Sequence, residues 1–82
     1  MNISSIIVSA QPGRASAVSS ALARTAGVEI HGATEDGRLI VTIETEGDHE
    51  TVGIFDQINA MTGVMSVSMV YHQFESDPDR EV

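Results

Sequence analysis

Gly63-Val64-Met65-Ser66-Val67-Ser68-Met69-Val70-Tyr71-His72-Gln73 is the stretch that decides the fold. It opens on a glycine and then alternates like a strand, whose successive side chains point to opposite faces. Met65, Val67, Met69 and Tyr71 share one parity, continuously apolar, which predicts a face turned to a core. Val64, Ser66, Ser68, Val70 and His72 share the other, small and hydroxylated, which predicts a shallow open face.

The same two-faced pattern recurs upstream. Ile3 to Ala10 is rich in β-branched residues and predicts a first strand, with Ile6, Val8 and Ala10 on one parity and Ser5, Ile7 and Ser9 on the other. Val28 to Thr34 predicts a second strand, Val28 and Ile30 inward, Glu29 and His31 outward. Glu35-Asp36-Gly37 is a turn whose Asp-Gly pair favours a tight hairpin. Arg38 to Thr45 returns with Leu39, Val41 and Ile43 inward and Ile40, Thr42 and Glu44 outward.

Two helices fit between these strands. Pro12 suits a first helical turn, where its missing N–H costs nothing. Val18, Ala21, Leu22 and Thr25 form one stripe, and Gly27 stands where a left-handed C-cap is wanted. The second helix is predicted to start at Asp48 as N-cap, with Glu50 complementing the helix dipole. Val52, Phe55, Ile58 and Met61 form its apolar stripe, and Gly63 ends it.

The order β-α-β-β-α-β, with one apolar face per element, predicts an α+β, ferredoxin-like split βαβ fold. Its four-stranded antiparallel sheet has order 4-1-3-2, and both helices lie on one face. Residues 1–74 form one domain in this reading, and 75–82 an acidic tail expected to be disordered.

The helix-free face is then left uncovered. Ile7, Ile40 and Val70 fall on neighbouring strands and make a candidate apolar patch, a common marker of partner sites. An ordinary wet sheet face is the competing reading.

Composition narrows the function. Twelve acids against four arginines, with no lysine, give 82 residues a net charge of −8. Such a chain repels phosphate, so nucleic acid and anionic membrane are poor partners. The charge serves solubility or a cationic partner such as an arginine-bearing peptide. No apolar run approaches the roughly 18 residues of a membrane span. No basic segment precedes the first apolar stretch, so a cytoplasmic chain is expected. Without cysteine there is no disulfide or thiolate site.

Catalysis and metal binding find little footing. In the order 4-1-3-2, His31 and His72 lie on opposite edges, three strand spacings or about 14 Å apart. Zinc needs each nitrogen within about 2.1 Å, so no metal site is expected. His49 opens a helix on the other side. No serine sits in a nucleophile elbow, and paired carboxylates would need a deep cleft. Arg14 follows strand one, as in acylphosphatases, but their accompanying asparagine and glycine pattern is lacking. Pro12-Gly13 allows an alternative, an ACT-like small-molecule-binding regulatory domain, although no acid precedes the proline.

Across roughly residues 3 to 73 the chain resembles the NapD assembly proteins of periplasmic nitrate reductase. The likeness is densest in Gly63 to Gln73, with its Val70-Tyr71-His72-Gln73 ending. Ser5-Ile6-Ile7-Val8 and Gly37-Arg38-Leu39-Ile40-Val41 also look similar. The resemblance implies a small cytoplasmic chaperone that binds the twin-arginine signal peptide of the catalytic nitrate reductase subunit. It would hold that subunit back from Tat export until its cofactor is loaded, and would be neither an enzyme nor a cofactor carrier itself. A monomer or weak homodimer is expected. The residues expected to contact the peptide are Ser5, Ile7, Ser9, Glu29, Ile40, Thr42, Glu44, Ser66, Ser68, Val70 and His72.

Overall fold

A computed structural model describes residues 2–74, with the backbone alone from Tyr71 to Phe74; the expected tail, 75–82, lies outside the described residues. The elements are β1 (Asn2–Ala10), α1 (Ala15–Ala23), β2 (Val28–Ala33), β3 (Arg38–Thr45), α2 (Asp48–Asn59) and β4 (Val64–Phe74). They form one antiparallel sheet of order β2-β3-β1-β4, the ferredoxin-like arrangement that the alternation predicted.

One face of the sheet makes the core. Ile6, Val8 and Ala10 from β1 and Leu39, Val41 and Ile43 from β3 pack with Val18 and Leu22 of α1 and Ile58 of α2. Ile6, Val8, Val41, Ile43, Val18, Leu22 and Ile58 are fully closed to solvent, and Leu39 and Ala10 nearly so. Close packing of this kind carries most of the stability of a small domain. At the end of the core near Asn2 the interior turns polar. Asn2, Ser4, Thr45 and Thr51 are buried there. The Thr45 hydroxyl donates to the Gly47 carbonyl at 2.8 Å and accepts from the Thr51 hydroxyl at 2.6 Å, which also lies 3.2 Å from the same carbonyl. The Asn2 amide donates to the Asp48 carboxylate.

The helices depart from expectation at their starts. α1 begins at Ala15, after a turn in which Gly13 takes a left-handed φ of 78°, so Pro12 precedes the helix and is not in its first turn. Gly47, in extended conformation, is the N-cap of α2, and Asp48 is its first residue. The inward stripe of α2 is Thr51, Ile54, Phe55, Ile58 and Met61, while Val52 is 58% exposed. Thr51 takes the inward place because Thr45 and Gly47 satisfy its hydroxyl.

Gly27 has left-handed φ, as expected, but it lies beyond the helix end at Arg24. Its carbonyl accepts from the Glu44 N–H at 2.7 Å, and a Cβ there would lie 2.8 Å from the Glu44 carbonyl oxygen. The backbone of β3 therefore approaches closely where β2 begins. The β2–β3 hairpin is looser than a two-residue turn, since only Gly37 takes positive φ, and Thr34 N–H donates to the Arg38 carbonyl across it.

β4 corrects the simple alternation. Its pairing with β1 shifts twice, between Ser9 and Ala10 and between Ser5 and Ile6, leaving Met65 and Val70 as extra residues. Each bulge moves later residues to the other parity. Val64 thus pairs with Ala10 on the helix side, His72 stands opposite the buried Ser4, and Tyr71 stands opposite Ser5. The expected faces of Val64, Tyr71 and His72 are reversed.

Candidate functional site: the open face of the sheet

The register arranges the helix-free face in four rows. Ser9, Arg38 and Ser66 form the first, and Ile7, Ile40 and Ser68 the second. Ser5, Thr42 and the Tyr71 position form the third, which Glu29 of β2 extends. Ile3, Glu44 and the Gln73 position form the fourth. Successive rows are two residues, or about 6.6 Å, apart.

Nine of the eleven residues expected from sequence (Ser5, Ile7, Ser9, Glu29, Ile40, Thr42, Glu44, Ser66 and Ser68) come together on this face. Val70 occupies the bulge beside it and is 65% exposed. His72 does not join them, because its register position is on the helix side. Ile3 and His31 belong to the face although sequence reasoning left them out of the site. Ile3 shares the parity of Ser5 and Ile7, and His31 that of Glu29, so parity marked both for this face. What parity does not mark is the bulge of β2 between Ile30 and Gly32, where His31 lies and from which it reaches Thr42.

The face is shallow and divided by charge. Ile7 and Ile40 lie side by side at its middle, Ile40 being 42% exposed. Small hydroxylated residues flank them, leaving room for a backbone to approach. At one end Glu29 and Glu44 border a recess of about 240 Å³ together with Gly27, Val28 and Thr42. His31 bonds the Thr42 hydroxyl through Nε2 at 2.8 Å and lies 3.9 Å from the Glu29 carboxylate. At the other end the Arg38 guanidinium pairs with Asp36 at 3.0 Å. The Thr34 hydroxyl, which donates to Asp36, holds that carboxyl below its ordinary value, with the charge of Arg38 adding to the effect.

This arrangement suits contact more than chemistry. The His31 imidazole on this face bonds the Thr42 hydroxyl, not a serine, and among the described residues no three His, Asp or Glu side chains converge as metal ligands. Another recess, this one mainly apolar and lined by Asp48, Thr51, Val52 and Met69, lies on the helix side. Among the described residues no helix is long and apolar enough to cross a membrane.

Comparison with known proteins gives a consistent result. The sequence model of the family described as "NapD protein" matches residues 1–76. The chain is 34% identical over 76 residues to "Chaperone NapD" of Escherichia coli (strain K12), covering 89% of this chain and 85% of that one. The relative of the same name from Shigella flexneri gives the same figures. Among solved structures, the chain resembles the "Solution structure of the E. coli Tat proofreading chaperone protein NapD" with a TM-score of 0.80 and 30% identity. That match covers 98% of this chain and 85% of the other.

Proposed function

This chain belongs to the NapD family, and from that premise we propose that it is a Tat signal-peptide chaperone. Its client in this reading is the catalytic subunit of periplasmic nitrate reductase. It binds that subunit's twin-arginine signal peptide in the cytoplasm and delays export until cofactor loading and folding are complete. It acts by binding alone, as a monomer or weak homodimer, without catalysis or a cofactor of its own.

The observation that carries this reading is the uncovered sheet face with the Ile7–Ile40 pair at its centre and two carboxylates at one end. A signal peptide offers the complement, a cationic segment followed by an apolar run able to lie as an amphipathic helix. Exposed Arg–Glu pairs contribute only about 0.2–1 kcal/mol each. Micromolar binding needs about −8 kcal/mol, and each well-buried Leu or Phe contributes about 1.5–3 kcal/mol. Apolar contact with Ile7, Ile40 and Val70 therefore dominates affinity, and Glu29 and Glu44 orient the arginine end and speed encounter. The hydroxyls of Ser5, Ser9, Ser66 and Ser68 let the guest's backbone approach.

Titration of the purified protein with a twin-arginine peptide and its Lys-Lys variant tests the proposal. Saturable binding of the first, weakened for the second, supports it; no heat with either peptide removes it.

A further inference from the structure

We infer that His31 is a positioning residue of the open face whose proton controls how strongly the acidic end accepts a cationic guest. The inference rests on the peptide-binding reading above and adds to it a regulation of the same site.

The extra residue in β2 is what brings His31 into play. Glu29 pairs with Thr42 and Ile30 with Val41, but the next pair is Gly32 with Ile40, so His31 has no partner of its own in the ladder. A bulge re-aims a side chain in this way. The imidazole reaches across to β3, where Nε2 meets the Thr42 hydroxyl at 2.8 Å, and it passes 3.9 Å from the Glu29 carboxylate. Its side chain is 46% exposed.

Neutral imidazole and hydroxyl need one shared hydrogen, which leaves the Glu29 carboxylate available to a guanidinium. Imidazolium changes both terms. It places a positive charge 3.9 Å from Glu29, in the row that the guest's cationic end would occupy. Glu29 then has a built-in counter-ion, and an arriving arginine meets a like charge. Histidine is the side chain that changes charge between about pH 5 and 8.

The charged surroundings of His31 are few among the described residues. Glu29 faces it from its own strand and Thr42 from β3, and Glu44 borders the recess that Glu29 and Thr42 also line. Arg38, at the far end of β3, is held by Asp36. α1 packs on the opposite face of β2, through Val18 and Leu22.

The test is calorimetric titration of the full chain with a histidine-free twin-arginine peptide at about pH 7.5 and about pH 5.5. Wild type is compared with His31→Gln, which cannot become charged, and with His31→Lys, which is charged at both values. The wild-type dissociation constant rises between the two pH values by about fivefold more than that of His31→Gln, the size of one exposed ion pair. His31→Lys binds weakly at both. Equal pH ratios for wild type and His31→Gln, in proteins shown folded by circular dichroism, overturn the role of His31 and leave the peptide site standing. Failure of wild type to bind at either pH overturns the peptide reading and this inference with it.

Discussion

Ile7 and Ile40 stand directly opposite one another on the two central strands, on the face that neither helix covers. Two β-branched side chains at the middle of a sheet and open to solvent are a cost to solubility unless something uses them. Their neighbours along β1 and β3 are small or polar, so the pair forms an isolated apolar step in a hydroxylated surface.

Replacing Ile7 with Asp removes that step. Peptide affinity falls by about one to two orders of magnitude, the equivalent of about 1.5–3 kcal/mol of lost burial. The thermal transition moves little, because the side chain is on the solvated face. Calorimetry paired with a melting curve checks this, and unchanged affinity removes Ile7 from the site.

Glu44→Gln acts on encounter more than on grip. Affinity weakens by about two- to fivefold, and the dependence of the association rate on salt flattens. Stopped-flow measurements across a range of ionic strength read this directly; identical salt slopes in the two proteins exclude Glu44.

Gly27→Ala is expected to destabilise the fold by more than about 1 kcal/mol. The residue has a φ of 82°, and the added methyl meets backbone, the Glu44 carbonyl oxygen at 2.8 Å, with no flexible chain end to yield. Urea denaturation measures the loss. The same substitution distorts the wall of the Glu29–Glu44 recess, so affinity falls with stability.

Asp36 reports on the hairpin through pH. Its folded carboxyl titrates below the ordinary 3.8, first because Thr34 donates to it and then because of Arg38. A depressed folded value means that its stabilising contribution is present above the unfolded value and is lost as pH falls through the folded one. NMR titration of the carboxyl carbon should show this, and Thr34→Val should bring the midpoint back up. A midpoint unmoved by that substitution rejects the assigned cause.

Much of this architecture was legible in sequence because the core strands alternate strictly: Ile6 with Val8, and Leu39 with Val41 and Ile43, leave no choice of face. The turn residues were equally plain, Gly37 and Gly63 both taking positive φ. The errors came where a single residue breaks a period. Beyond Val70 an unbroken count of two sends Tyr71 inward and His72 outward, whereas the bulge reverses them. An inserted residue has no compositional mark, and only pairing with β1 reveals it. Val52 and Thr51 were exchanged for a different reason. Hydropathy favours valine for the core, but the Thr51 hydroxyl is satisfied by Thr45 and Gly47, so its burial carries no unpaired group. Within the site, the strand-borne residues were readable from parity, while the reach of His31 to Thr42 depends on the β2 bulge and was not.

Amide shift mapping of the isotope-labelled protein with a twin-arginine signal peptide tests the central claim most directly. The account predicts that the largest changes fall on Ser5 to Ser9, Ile40 to Glu44 and Ser66 to Ser68, with α1 and α2 nearly unmoved. Changes concentrated on the helices, or around Asp48, Thr51, Val52 and Met69, would contradict it.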